Sequence, residues 1–260
     1  MNEACGIIFD KYGSVDIHYV AQLEKLASLY IKTGEYKKAE NYIGTALNLM
    51  KSIAGQLDGH ARPLRIEHSK VLETLARLYT VMGKYDEAEK TLNLSSRIAK
   101  RTEDQRAMMT ENIDDLTALY LKTGRYFETE KLLRETIEQR ETKYGKSHLS
   151  LINPINQLGN LYLITGDYTE AEKLLNRALN LASRIVGDTS VKYTEGLKLL
   201  SSLYSRMGDY DKAETMAQYV LDIQTKQLGR DHPAIANALT GLALVKFNNG
   251  QQTGKIKHLL

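Results

Sequence analysis

The chain carries six histidines, His18, His60, His68, His148, His232 and His258, and one cysteine, Cys5, the side chains best suited to hold a metal or attack a substrate. A zinc site needs several of these at helical or Cys-x-x-Cys spacing, and the sequence has no HExxH and no second cysteine. It also has no GxxxxGK[ST], no GxGxxG after a strand and no GxSxG. No catalytic residue, cofactor or metal ligand is therefore assigned, and the chain reads as a non-enzyme. Cys5 has no motif around it and reads as a buried structural thiol. His148 and His232 occupy matching places beside two loops, where a capping role is expected.

What remains is chemistry of hydrogen bonds and charge. The 35 basic and 32 acidic residues are well mixed and leave a net charge of +3, too balanced to argue for nucleic acid. No apolar run approaches the roughly 20 residues a membrane helix needs. The opening MNEACGIIFD lacks the basic and apolar regions of a signal peptide. One cysteine excludes an intramolecular disulfide framework and fits a reducing, cytoplasmic setting. Runs such as Lys37-Lys38-Ala39-Glu40 and Asp86-Glu87-Ala88-Glu89-Lys90 read as solvated helix faces.

The elements that position these groups repeat. LGNLYLITGDYTEAEK from Leu158 has copies at Leu26, Leu75, Leu116 and Leu200, each reading as helix, tight turn, helix. The turn glycines Gly34, Gly83, Gly124, Gly166 and Gly208 are 49, 41, 42 and 42 residues apart, and Gly250 adds 42 more. A fixed period of this length marks a solenoid, whose units bury their apolar faces only by stacking. Tyrosine stands four before the glycine (Tyr30, Tyr79, Tyr120, Tyr162, Tyr204) and two after it (Tyr36, Tyr85, Tyr126, Tyr168, Tyr210). These ten of the sixteen tyrosines read as packing residues rather than base-stacking platforms. Small residues, Ala27, Ala76, Thr117, Gly159 and Ser201, let a partner helix approach, and Ala39, Ala88, Thr129, Ala171 and Ala213 supply the contact from that partner. With three prolines and no alternating β pattern, an all-α protein is expected, an α-solenoid of antiparallel helix pairs.

The pattern Leu-small-x-x-Tyr, Gly-x-Tyr, Ala-x3-apolar resembles the tetratricopeptide repeat, and the 42-residue period resembles its kinesin light chain-like form. Leu228-Gly229-Arg230-Asp231-His232-Pro233 is close to that form's LGxDHP loop. The resemblance implies one array over 1–260 forming a superhelix. Full repeats are expected at 16–54, 66–100, 107–143, 148–185 and 190–227. Residues 1–11 are expected to end a preceding repeat, and 231–260 to begin a partial one, with Gly250 turning into the start of its second helix. The 49-residue interval places seven extra residues in the glycine-rich stretch 55–63, which either lengthens helices or forms a surface loop. Residues 101–106 are polar without glycine, so the flanking helices are expected to run nearly together.

In such arrays the first helices line a concave face, at positions ten, six, three and two before the turn glycine. The resemblance thus points to Glu24, Glu73, Asp114, Asn156 and Lys198 at the first of these, and to Ser28, Arg77, Ala118, Asn160 and Ser202 at the second. Arg206 lies at the last, and Asn153 one turn ahead of Asn156. The face is expected to run from acidic through asparagine to basic, which suits an extended peptide: amides both donate and accept, and flanking charges set direction. Kinesin light chains place paired asparagines where this chain has Glu24-Lys25, Glu73-Thr74, Asp114-Asp115, Asn156-Gln157 and Lys198-Leu199. Only Asn156 matches, so kinesin-type cargo specificity is not implied, and the clamp for chaperone C-termini is incomplete. The expected function is a protein- or peptide-binding scaffold, part of a larger multidomain protein. The alternatives are a regulatory segment of an enzyme such as a CHAT-type peptidase, and an array that self-associates end to end through its terminal half repeats.

Overall fold

The computed structural model describes residues 17–54, 61–99 and 105–257, with side chains described over 17–53, 66–98 and 113–250. The helix end expected at 1–11, Cys5, His60, His258, residues 55–60 of the insertion and 101–104 of the polar link lie outside the described residues. Among those described, the chain is helical without strands.

The helices are α1 (Ile17–Lys32), α2 (Tyr36–Ala54), α3 (Ala61–Val81), α4 (Tyr85–Ala99), α5 (Gln105–Lys122), α6 (Tyr126–Tyr144), α7 (Ile152–Thr165), α8 (Tyr168–Val186), α9 (Val191–Met207), α10 (Tyr210–Leu228) and α11 (Pro233–Lys257). One 3₁₀ turn, Leu149–Leu151, leads into α7. The chain forms two compact units, 1–125 and 126–260. Of the insertion, Ala61, Arg62 and Pro63 open α3, where proline's missing N–H costs nothing.

The turns explain why tyrosine and glycine travel together. Gly208 has φ 81°, and the next residue, Asp209, donates its N–H to the carbonyl of Tyr204 at 2.9 Å. This is the Schellman closure, which satisfies a helix-end carbonyl and needs a residue at positive φ. Glu35, Lys84 and Arg125 do the same to Tyr30, Tyr79 and Tyr120, at 2.9, 2.9 and 2.8 Å. The second helix then starts at once: Asp167 and Asp209 accept from the N–H groups of Glu170 and Lys212.

The small residues do the work expected of them. A Cβ on Gly159 would stand 2.7 Å from Leu175 Cδ2, so α7 and α8 approach as closely as glycine allows. Ser201 of α9 donates to the carbonyl of Ala213 in α10 at 2.8 Å. In unit 1–125, the core gathers Val20, Leu23 and Ala27 of α1, Ala39 and Ile43 of α2, and Leu78 of α3. In unit 126–260 it gathers Leu163, Ala171, Leu175, Leu203 and Ala213. Each cluster joins one helix pair to the next, the solenoid's way of burying apolar area.

A second link between repeats is polar. The tyrosine before the turn glycine donates its hydroxyl to a glutamate on the second helix of the preceding repeat. The bonds are Tyr120 to Glu89 at 2.8 Å, Tyr162 to Glu130 at 2.7 Å and Tyr204 to Glu172 at 2.8 Å. In α11 the tyrosine slot holds Lys246, which meets Glu214 at 3.2 Å. Three of the tyrosines read from sequence as packing residues are therefore also hydrogen-bond donors.

The turn expected at Gly250 does not form. α11 runs unbroken to Lys257, and Gly250 lies inside it. Gly250 does not take the positive φ of the other turn glycines, so the Schellman closure is not made and the helix continues, and the sequence there has Lys246 and Gln252 in place of the two tyrosines.

Candidate functional site

In unit 1–125 several charged residues of the first helices are engaged within the fold, although the buried Thr117 hydroxyl has no partner among the described residues. Glu24 of α1 accepts from the Thr74 hydroxyl of α3. Glu73 is 2% exposed, and its Oε1 accepts from Ser69 Oγ at 3.3 Å and Ser95 Oγ at 3.1 Å. Arg77 forks onto Asp115 of α5, with Nε at 3.1 and 2.9 Å from the two carboxylate oxygens. Lys122 donates to the Thr80 carbonyl at 3.3 Å and sits 5.8 Å from the centre of the Tyr85 ring. Asp114 is half-buried and Ser28 partly so, while Ala118 is exposed. These bonds fasten α1 to α3 and α3 to α5, so this unit's charges hold its own helices together.

Unit 126–260 is built differently. Asn153, Asn156 and Asn160 fall on one stripe of α7, three and four residues apart. Asn153 and Asn160 are half-buried, whereas Asn156 is 5% exposed and its Oδ1 has no hydrogen-bond partner among the described residues. Such an acceptor costs about 1–3 kcal/mol unless a donor reaches it. On α9, Lys198, Ser202 and Arg206 are exposed at successive turns. The Gln224 amide satisfies both its neighbours when its nitrogen faces the Ala234 carbonyl and its oxygen faces Lys198 Nζ, each at 3.2 Å. Neither Lys198 nor Arg206 has an acidic partner among the described residues. α7 carries no charged residue, and α9 carries Lys192, Lys198 and Arg206 against one acid, Glu195. The first-helix face of this unit is thus polar and cationic, its two exposed cations without an acidic partner among the described residues.

Two histidines serve as caps. Nδ1 of His148 accepts from the Ser150 N–H at 3.2 Å, and Nδ1 of His232 accepts from the Ala234 N–H at 3.1 Å, ahead of Pro233. His18 is exposed, and His68 is half-buried, with burial pushing its imidazole below the ordinary range. No group of three or more metal-binding side chains occurs among the described residues. No helix there is long and apolar enough to cross a membrane.

Sequence reasoning missed several members of these arrangements. Asp115, Ser69, Ser95 and Gln224 come from neighbouring turns or helices that the offsets do not sample. Leu244 of α11 was within reach, since it stands six residues before Gly250.

These helix pairs, with their glycine turns and small-residue contacts, define a helical repeat protein. The model of the tetratricopeptide repeat matches residues 109–184, 151–226 and 193–252, and a second such model matches 22–56. The chain belongs to the tetratricopeptide repeat family. Its repeats are of the kinesin light chain-like form. In fold it is similar to BtubC (BKLC) from P. vanneervenii, with a TM-score of 0.61 and 18% identity over 89% of this chain and 84% of that one. It is also similar to a putative kinesin light chain with nearly identical TPR-like repeats from P. anserina. One structure of that protein gives 0.58 and 19% over 82% and 98%, and a structure of a point variant of it gives 0.57 and 23% over 72% and 89%. No curated protein matches the chain.

Proposed function

We propose that the chain is a non-enzymatic scaffold that binds an extended peptide or protein segment on the first-helix face of residues 126–260. The observation that carries this reading is the contrast between the units: Glu24, Glu73 and Arg77 have partners within the fold, whereas Lys198 and Arg206 stand exposed with no acidic partner among the described residues. A peptide main chain meets the half-buried Asn160 amide, which can both donate to a carbonyl and accept from an N–H. Acidic side chains on that peptide meet the two cations, giving direction along α9. Membership of a repeat family whose arrays serve as interaction scaffolds supports the same reading.

The test is selection of phage-displayed random peptides on the immobilised chain. Selected peptides are expected to be acidic and to lose at least tenfold in affinity on Lys198→Glu and on Asn160→Ala. Selected peptides whose affinity neither substitution changes contradict the assignment of this face.

A further inference from the structure

Between α9 and α11 lies a pocket of about 280 Å³. Its floor is apolar, made by Val220, Ala238 and Val245, which are 2%, 6% and 6% exposed. Gly241 forms part of the wall, and Lys198 and Leu244 stand at the mouth, Leu244 being 60% exposed. Ligand pockets run from about 300 to 1,000 Å³, and this one lies at the small end, with room for a peptide side chain. Lys198 and Arg206 lie two turns apart on α9, about 12 Å at 1.5 Å per residue. An extended peptide covers that span in three to four residues at about 3.3 Å each.

We infer that this pocket is a socket for one aliphatic side chain, leucine-sized, of a peptide that carries a carboxylate side chain on each side of it, four residues apart. The inference rests on the reading of this face as a peptide site and adds the recognition rule. Two cations two turns apart have room for a carboxylate each, which Asp or Glu side chains of the peptide supply. No acid stands at the mouth to oppose them: α11 has Lys246 as its one charged residue through Asn249, and Glu214 already holds it. The polar rim and cations fix the direction of the main chain, while the apolar floor distinguishes leucine from a polar residue.

The probe is fluorescein-labelled Gly-Ser-Asp-Ser-Leu-Ser-Asp-Ser-Gly with an amidated C-terminus, titrated into the full chain by fluorescence anisotropy. Replacing its leucine by serine is expected to weaken binding at least tenfold, and replacing both aspartates by asparagine to do the same. Gly241→Leu is the decisive variant, because Gly241 lines the pocket and a Cβ there meets no heavy atom within 4 Å, which leaves room for a side chain to compete for the socket. It is expected to keep or raise Tm and to abolish the leucine preference. Lys198→Glu combined with Arg206→Glu is expected to reverse the preference toward a probe with lysines in place of aspartates. Equal binding of the leucine and serine probes, or a leucine preference that survives Gly241→Leu, overturns the socket while phage-selected peptides still report on the wider face. No binding of the leucine probe at millimolar protein also overturns it.

Discussion

The Tyr162 hydroxyl donates to Glu130 Oε1 at 2.7 Å, tying the first helix of one repeat to the second helix of the repeat before it. Arg134 completes the group, reaching Glu130 at 2.7 Å and the Tyr162 hydroxyl as well. Because repeat stability is close to a sum of units and their interfaces, loss of one such bond weakens one interface. Tyr162→Phe is expected to lower stability by about 1 kcal/mol, the usual net worth of a hydrogen bond, without changing helix content. Urea melts of Tyr162→Phe, Glu130→Gln and the double variant check this, the prediction being a double variant that costs less than the sum.

The same bonds give a pH dependence. Burial, and then the bond to Glu130, hold the Tyr162 hydroxyl above the usual phenol range, and burial followed by the bond to Glu172 does so for Tyr204. Phenols in the unfolded chain ionise near pH 10. Protons are therefore held more tightly by the folded state, and the stability from these groups is complete below about pH 10 and lost as pH rises through the folded values. Glu130 is displaced the other way, by the Tyr162 bond first and Arg134 second. Its contribution is present above the unfolded carboxyl value and lost as pH falls through the folded one. Urea midpoints are expected to fall above about pH 10, and less steeply in a Tyr162→Phe, Tyr204→Phe variant.

Two helical glycines should respond in opposite directions to the same change. Gly159→Ala places a methyl 2.7 Å from Leu175 Cδ2 and 2.8 Å from its Cγ, in a side chain with no exposed surface. Overpacking of this kind costs about 1–3 kcal/mol, more than the helical gain of alanine over glycine. Gly241→Ala meets open space and should stabilise by roughly 0.5–1 kcal/mol. Thermal melts of the two variants against the parent decide the matter.

Asn156→Leu separates a structural role from a binding role. Removing a buried acceptor that has no partner should leave stability within about 0.5 kcal/mol of the parent, or raise it. The affinity of selected peptides should hold in this variant, because the Asn156 oxygen is closed to solvent, and fall at least tenfold in Asn160→Ala. A large loss of stability with unchanged affinity would assign Asn156 to the fold.

Much of this architecture was legible in the chain itself. The turn glycines, the flanking tyrosines and the small residues recur because backbone geometry and close packing act locally, over three to eleven residues. Gly159 could be read as a contact point, and the two histidines as caps, from their place in the repeat alone. The Tyr–Glu bonds could not, because each joins residues about thirty apart, though Glu40, Glu89, Glu130, Glu172 and Glu214 all stand six after a turn glycine. The face was legible only in part. Offsets pick out Glu73 and Asn156 together, yet both are buried, one satisfied by Ser69 and Ser95 and the other unsatisfied. That distinction depends on what the neighbouring helix brings. Gly250 shows the converse: a glycine in register allows a turn without requiring one, and here it lies inside a helix.

The central claim is that ligand binds the cationic first-helix face of residues 126–260. The most direct measurement is amide shift mapping by ¹⁵N NMR of the 29.3 kDa chain as the leucine probe is added. Shifts concentrated on α9 and α11, with smaller ones on α7 and none on α3, are the predicted result. Shifts concentrated on the second helices α8 and α10 would contradict it.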